Sequence, residues 1–316
     1  MKTTNNKKQT VIAVVGPTAS GKTSLAVEVA KCFDTEIISA DSRQIYKEFD
    51  IATAKPNIAE RQGIKHHLMD CVEPAEDFSV ANFKDEAEKV LQGLFERRKI
   101  PVVAGGTGLY FRILLENYDM PRVVPNKELR EKLHKLEQNE GAEVLYKMLE
   151  KLDPVYAKNM HPNNTIKIIR AIEVCEALKI PMSHAQKKTD SNYNVLWFGL
   201  GHLNGEDRQF LYERTDKRVD LMLDAGLEAE AKKLYKKYGK IKSLEKTIGY
   251  QEFIEYFENN ISYDDCVLKI KQNTRRYAKR QLTWFRQNKN ITWLDIKNTD
   301  NTQRVNMVMD CCRDLL

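Results

Sequence analysis

The chain has 316 residues, of which 42% are hydrophobic and 30% are charged, and its formal net charge is +6. This balance is typical of a globular protein that buries a sizeable core. No apolar run reaches the roughly 18 residues that a membrane span needs, and the polar opening MKTTNNKKQT lacks the apolar segment of a signal peptide, so we expect a cytoplasmic protein with a frayed N-terminal tail.

The six cysteines show neither a C-x-x-C pair nor the spacing of a zinc site or a disulfide framework. We therefore expect free, reduced thiols.

The first predicted element is a phosphate-binding loop between a strand and a helix. Val11 to Val15 are typical of a buried parallel strand, and residues 16–23 read GPTASGKT, which matches G-x-x-x-x-G-K-[ST]. In such a loop glycines let backbone N–H groups turn towards an anion, Lys22 adds positive charge and Thr23 offers a hydroxyl to Mg²⁺. The dipole of a helix over 24–31 would face the phosphates. The sequence therefore predicts a site for a di- or triphosphate.

Two further strands are predicted to end beside this loop. The segment EIISA (36–40) is followed by Asp41, and the strand Ile100 to Ala104 is followed by GGTG (105–108). Because ligands of open α/β sheets lie beyond the carboxyl ends of the strands, we expect Asp41 and Thr107 near the phosphate loop. From the residues alone, Asp41 could hold Mg²⁺, act as a general base or cap the next turn, and GGTG could be a plain tight turn.

The middle of the chain is predicted to be helical. A short strand within 65–72 precedes an amphipathic helix over 78–98, with Ser79 as its candidate cap. Two prolines then break the pattern, residues 126–179 are almost wholly helical, and a strand follows over 195–200. A helical insertion fits this order better than a second, C-terminal domain. The expected organisation is a P-loop NTPase-like α/β parallel-sheet core over 1–118 and 194–316, with a helical insertion domain over 119–193.

The last third of the chain contains the main basic segment. Helices are expected near 206–225, 227–238 and 249–259, and a basic helix, a strand over 291–294 and a closing helix follow. From Cys266 to Leu294 there are eight basic residues and no acidic one, and Tyr277, Trp284 and Phe285 are interleaved with them. Such a pattern is typical of RNA or single-strand binding, and a soluble basic helix with core aromatics is the alternative.

Two arginines in the helix predicted over 206–225 are candidates for anion binding. Arg214 and Arg218 are four residues apart, so they share a helical face and suit a clamp on a diphosphate. The alternative is a solvated face on which they pair with Glu213 or Asp220.

Seven segments along the chain match one family in order. They are GPTASGKTSLA (16–26), DSRQIYKEFDIATAKP (41–56), HHLMD (66–70), AGGTGLYFR (104–112), the pattern over 214–227, TIGYQE (247–252) and RRYAKRQLTWFR (275–286). In these segments the chain resembles the bacterial tRNA dimethylallyltransferases, also called tRNA isopentenyltransferases.

The resemblance implies transfer of a dimethylallyl group from dimethylallyl diphosphate to the exocyclic N6 amine of the tRNA adenosine 3′ of the anticodon, in tRNAs reading UNN codons. It implies Mg²⁺ as cofactor, held at Thr23, with Asp41 as the general base and Thr107 as the residue that orients it. The implied diphosphate contacts are Gly16, Thr18, Ala19, Ser20, Gly21, Lys22, Thr23, Arg214 and Arg218. The implied tRNA contacts are Asp41, Ser42, Arg43, Gln44, Thr107, Arg130, Lys167, Arg170, Arg275, Arg276, Lys279 and Arg280.

In two places the chain departs from the family pattern. Ile166 and Lys167 stand where a glutamine and an arginine are common, so Lys167 keeps a charge without the arginine fork. Ala52 stands where a glycine is usual. The first departure affects a detail of the expected contact with the tRNA anticodon stem-loop, and the activity is still expected. We expect the protein to be a monomer.

Three other functions compete with this interpretation. An adenylate isopentenyltransferase would act on free adenine nucleotides and would need neither the insertion nor the basic helix. A small-molecule kinase would hold ATP in the phosphate loop, and a non-catalytic RNA-binding protein would merely retain the loop.

Overall fold

The computed structural model describes residues 8–188, 190–201 and 208–315. The first seven residues of the expected polar tail and the first two residues of the helix predicted over 206–225 lie outside the described residues. Contacts divide the chain into two compact units. The core unit comprises Met1–Leu114 and Asn192–Leu316, and the inserted unit comprises Leu115–Ser191.

The core unit is built on a parallel sheet. In chain order the strands are β1 (Gln9–Val15), β2 (Ile37–Ser39), β3 (His66–His67), β4 (Val102–Gly105), β5 (Tyr118–Asp119), β6 (Lys187–Lys188), β7 (Tyr193–Gly201) and β8 (Ile291–Asp295). Six of these described strands form one sheet in the order β3-β2-β4-β1-β7-β8, and every pairing in it is parallel. The predicted α/β class is confirmed. Since β2 and β1 flank β4, the loops that follow these three strands meet at one edge of the sheet.

Helices cover the sheet and build the inserted unit. They are α1 (Lys22–Cys32), α2 (Ile58–Arg61), α3 (Val80–Glu96), α4 (Gly108–Leu115), α5 (Lys127–Glu140), α6 (Ala142–Leu152), α7 (Pro154–Ala157), α8 (Thr165–Leu178), α9 (Met182–Ala185), α10 (Arg208–Asp224), α11 (Leu227–Tyr238), α12 (Lys242–Glu245), α13 (Tyr250–Phe257), α14 (Tyr263–Phe285) and α15 (Asn301–Cys311). A short 3₁₀ turn follows at Arg313–Leu315. Within the described helices, none is both long and apolar enough to cross a membrane.

Local sequence explains where two long helices of the core unit begin. Ser79 caps α3, and its side chain and that of Asn82 bond reciprocally to the backbone as a capping box, so the predicted cap is confirmed. The helix α14 begins at Tyr263, before the acid-free segment, because Ser262 caps it and two aspartates lie in its first turn. Negative charge there is favourable beside the positive end of the helix dipole.

Two hydrophobic clusters hold the core unit together. One packs β1, β4 and β7 against α1 and α15, and the other packs α11, α13 and the start of α14 against residues 45–49. The second cluster positions α14 and the segment after Asp41 on the same side of the molecule as the sheet edge.

The inserted unit has its own core, formed by α5 to α9 around Leu145, Leu149, Ile168 and Ile172. Its ends are joined by the antiparallel pair β5 and β6. The sequence pattern missed this pair, because two-residue strands are too short to show a period.

Candidate active site and nucleic-acid interface

The ends of β2 and β4 bring the two predicted catalytic side chains together. Ala40 N–H donates to Ala104 O (2.8 Å), and Thr107 N–H donates back to Ala40 O (3.1 Å). Ser42 N–H then donates to Thr107 Oγ1 (3.0 Å). A Cβ at Gly105 would lie 2.2 Å from Ala40 O, so only glycine permits this approach. The glycine-rich segment is therefore more than a tight turn, because it docks Thr107 beside the Asp41 loop.

Asp41 both caps its loop and lines a cavity. Its Oδ1 accepts hydrogen bonds from Arg43 N–H (2.8 Å) and Gln44 N–H (3.3 Å), as the capping alternative predicted. Both hydrogen bonds that the described residues make to this carboxylate end on Oδ1, which leaves Oδ2 as an acceptor for a substrate proton. Capping and acid–base chemistry are therefore compatible at Asp41.

The phosphate loop carries a lysine with an unusual pKa. Lys22 Nζ donates to Pro17 O (2.5 Å). Burial, together with repulsion from Arg218, lowers the pKa of Lys22 to about 7, and the Asp41 carboxylate partly offsets this. Gly21 and Ala19 have positive φ angles of 91° and 62°, which turn the loop back on itself. For Ala19 this conformation costs roughly 1–2 kcal/mol, so the loop has to be held by contacts from elsewhere.

Arg214 and Arg218 both reach this loop from α10. Arg214 Nε–H donates to Ala19 O (2.8 Å). Burial lowers the pKa of Arg218, and its Nε and the Ser20 hydroxyl are buried without a hydrogen-bond partner among the described residues. Unpaired buried donors beside two cations fit an oxygen-rich anion.

The acids that could have paired with these arginines have other partners. Glu213 accepts from Gln209 (3.0 Å), and Asp220 pairs with Lys271 (2.5 Å). These contacts argue against the alternative of a solvated ion-paired face at Arg214 and Arg218.

One cavity of about 630 Å³ joins these groups. Its lining includes the phosphate loop from Thr18 to Thr23, the segment Asp41 to Gln44, Arg218 and Tyr277. Burial and the nearby Asp41 raise the pKa of the Tyr277 phenol, so it stays neutral. The cavity therefore places an anion site and a carboxylate in one enclosure. This arrangement suits a substitution reaction that releases an anionic leaving group and a proton.

Sequence reasoning missed Glu230, which shapes the wall of this cavity. Its carboxylate accepts the N–H groups of Ile51 (2.9 Å) and Ala52 (3.1 Å) and the hydroxyl of Tyr250 (2.6 Å). In the residue that follows Ala52, the carbonyl of Thr53 accepts a hydrogen bond from Gln44 Nε2 (3.2 Å). A glutamate inside an ordinary amphipathic helix gives no pattern that could have predicted this role.

Comparison with known proteins identifies the family. The sequence profile described as IPP transferase matches residues 44–288, and one described as isopentenyl transferase matches residues 9–76. A tRNA dimethylallyltransferase of Acetivibrio thermocellus is 44% identical over 93% of this chain and 94% of its own length. That of Bacillus subtilis is 42% identical over 92% of each chain. The chain belongs to the tRNA dimethylallyltransferase family.

Solved structures agree with this assignment. A tRNA isopentenylpyrophosphate transferase from Bacillus halodurans has a TM-score of 0.73 and 37% identity, covering 98% of this chain and 96% of its own. A eukaryotic dimethylallyltransferase acting on tRNA has a TM-score of 0.79 and 29% identity, covering 96% and 79%.

In this family member, α14 presents two different basic faces. Arg275 Nη1 donates to both carboxylate oxygens of Asp216 in α10 (2.7 and 2.8 Å), and Lys271 pairs with Asp220, so this stripe faces another helix. Arg276, Lys279 and Arg280 are exposed. The exposed set is therefore the part of the predicted tRNA surface that is available to phosphates.

The three aromatic residues interleaved with the basic residues of α14 also lie in different surroundings. Phe285 is buried against the edge of the Phe111 ring (5.7 Å between centroids), as the core alternative predicted. Trp284 lies beneath the Arg112 guanidinium, 4.5 Å from the ring centroid. Tyr277 alone of the three lines the cavity.

In the inserted unit, two of the expected tRNA contacts already have protein partners. Arg130 Nε and Nη2 donate to the buried carboxylate of Glu173 (2.9 and 2.7 Å), and Arg170 donates both to Glu173 and to Val123 O (3.0 Å). Lys167 is exposed. These contacts give Arg130 and Arg170 a structural role that the sequence pattern did not indicate.

Proposed function

We propose that this chain transfers the dimethylallyl group of dimethylallyl diphosphate to the exocyclic N6 amine of the tRNA adenosine 3′ of the anticodon, in tRNAs reading UNN codons. The observation that carries the proposal is the single cavity in which the phosphate loop and Arg218 lie beside Asp41, next to the exposed cations of α14. Relatives with this activity in their names support it over most of the chain.

The diphosphate would occupy the phosphate loop. Lys22 and Arg218 supply positive charge there, and the N-terminus of α1 points its N–H groups at the same place. An aryl amine is a weak nucleophile, so the allylic C–O bond has to be largely broken before attack. Cations that stabilise the departing diphosphate lower that barrier most.

Mg²⁺ is the proposed cofactor. Within the described residues, no group of three or more histidine, cysteine, aspartate and glutamate side chains is placed to hold a metal ion. Mg²⁺ keeps several waters and binds largely through substrate phosphates, and Thr23 lines the cavity beside Lys22. Thr23 would hold it through its hydroxyl and, when bound, Mg²⁺ would neutralise charge on the leaving group.

The acceptor side of the reaction is assigned to Asp41 and Thr107. As the bond from N6 to the allylic carbon forms, the C–O bond to the diphosphate breaks, and Asp41 Oδ2 takes the proton that the amine loses. Thr107 fixes the Asp41 loop through Ser42 N–H. The products are N6-dimethylallyladenosine in the tRNA and inorganic diphosphate.

The tRNA would bind along the exposed face of α14. Arg276, Lys279 and Arg280 would contact backbone phosphates of the anticodon stem-loop, and the target adenosine would leave its stack and enter the cavity. We propose that one copy of the chain acts alone, as a monomer. We place its action in the cytoplasm, where its tRNA substrate is made.

A transfer assay tests the proposal. Labelled dimethylallyl diphosphate is offered with unmodified tRNA reading UNN codons, or with free AMP, to the wild type and to Asp41→Ala. We expect label in tRNA alone, lost in the variant. Label in AMP would indicate an adenylate isopentenyltransferase, and label in neither acceptor would refute prenyl transfer.

A further inference from the structure

Gln281 connects the phosphate loop to the glycine-rich loop after β4. Its side chain lies inside the molecule, with 5% of the residue exposed. Oε1 accepts a hydrogen bond from Thr18 N–H (2.8 Å), and Nε2 donates to Gly106 O (3.0 Å). One amide therefore joins two loops that are 88 residues apart, counting from Thr18 to Gly106.

The orientation of this amide is fixed by its partners. A backbone N–H can only donate and a carbonyl can only accept, so Oε1 must face Thr18 and Nε2 must face Gly106. A Cβ at Gly106 would lie 2.2 Å from Nε2, so the second glycine of GGTG provides the space that the amide fills. The glycine and the glutamine form a matched pair.

The two loops that Gln281 joins carry the two halves of the reaction. Thr18 is followed by Ala19, whose strained backbone is also held by Arg214 at its carbonyl. Gly106 is followed by Thr107, which docks on the Asp41 loop through Ser42 N–H. This one amide therefore spans the loop of the leaving-group site and the loop that docks on the acceptor site.

The same helix carries the exposed cations. Tyr277 and Gln281 are four residues apart and share the inner face of α14, whereas Arg276 and Lys279 are exposed outside the cavity and Arg280 is exposed at its lining. Phosphates of the tRNA that bind the outer face would thus contact α14, and the inner face of the same helix contacts both loops through Gln281.

We propose that Gln281 is a positioning residue that sets the phosphate loop and the Thr107 loop at their reactive separation. The inference rests on the proposed prenyl transfer, and it assigns Gln281 no contact with substrate. It predicts that losing the amide lowers kcat and weakens diphosphate binding, while leaving the affinity for tRNA unchanged.

Two variants test this role. Gln281→Met is similar in length and leaves Thr18 N–H and Gly106 O unpaired, so kcat should fall about ten- to hundredfold, the effect of one to three kcal/mol for buried unpaired groups.

Gln281→Glu keeps the acceptor for Thr18 and regains a donor for Gly106 only when the carboxyl is protonated. The ratio of its kcat to that of the wild type should therefore rise as pH falls from 8 to 6. Taking the ratio removes the pH dependence of kcat that both proteins share.

Gln272→Met is the matched control, because Gln272 is exposed on the same helix. It should keep wild-type kcat. Thermal unfolding of each variant and calorimetric binding of inorganic diphosphate are measured alongside, and the binding test is independent of prenyl transfer. If the wild type transfers no label, the proposed function fails, and diphosphate affinity still decides the role of Gln281.

A folded Gln281→Met variant with kcat and diphosphate affinity within threefold of the wild type would overturn the inference. If this variant does not fold, the Gln281→Glu ratio decides: a rise at low pH supports the positioning role, and a ratio independent of pH overturns it.

Discussion

The depressed pKa of Lys22 predicts that the protein takes up a proton when it binds diphosphate. Burial and Arg218 together lower this pKa to about 7 in the unliganded site. A bound diphosphate places negative charge beside the ammonium group and raises the pKa again. Because the ligand favours the protonated form, binding and protonation of Lys22 are linked.

The number of protons taken up on binding follows from the pKa of Lys22. A lysine with a pKa of about 7 is protonated in about a tenth of molecules at pH 8 and in about nine-tenths at pH 6. Binding should therefore take up about 0.9 proton through Lys22 at pH 8 and about 0.1 proton at pH 6. The same linkage makes diphosphate affinity fall by up to about tenfold per pH unit above pH 7.

Isothermal titration calorimetry in two buffers of different ionisation enthalpy measures this uptake directly. Inorganic diphosphate with Mg²⁺ is titrated into the wild type and into Lys22→Gln at pH 6 and pH 8, and the variant's value subtracts the protons that the ligand itself exchanges. The difference should be close to one proton at pH 8 and small at pH 6. A difference near zero at both values, or a larger one at pH 6, would refute the assignment of a pKa near 7 to Lys22.

Four further substitutions have defined expectations. Glu173→Ala leaves Arg130 and Arg170 without their buried acceptor and should destabilise the protein by about 1–3 kcal/mol, because both guanidinium groups stay partly exposed to water, read from urea unfolding of the full chain; a loss below about 0.5 kcal/mol would show that the pairing is unimportant. Arg276→Gln should weaken tRNA binding and lower the slope of log K against log salt by roughly 1. Arg275→Gln should change that slope little, because Arg275 is already paired, so equal slopes for the two variants would contradict the division of α14 into two faces. Gly105→Ala should abolish transfer, since its Cβ would clash with backbone at 2.2 Å, and near-normal kcat would be inconsistent with that geometry.

Much of the core and its site could be predicted because short-range rules govern them. The phosphate loop is defined by two glycines, a lysine and a threonine within eight residues, and β-branched residues before it form the buried strand β1. The strand ends at Asp41 and Thr107 were expected to meet because parallel strands end at one edge, and the structure brings them together through Ser42 N–H.

The remaining features depend on contacts between distant segments. Nothing near Gln281 in the sequence indicates that its amide would reach Thr18 and Gly106. Arg130 and Arg170 look like free cations in the sequence, and only the fold shows that both reach Glu173. Such pairings are set by tertiary packing, which neither residue type nor periodicity reports.

The proposed acceptor is the exocyclic N6 amine of adenosine, and a pair of RNAs that differ in this amine tests it most directly. Two anticodon stem-loops are made that differ only 3′ of the anticodon, where one has adenosine and the other has purine riboside, which lacks the exocyclic amine. With labelled dimethylallyl diphosphate, we predict label in the adenosine RNA alone, with one diphosphate released for each group transferred. Equal labelling of both RNAs would contradict N6 as the acceptor, and diphosphate release without label in either RNA would contradict prenyl transfer to tRNA.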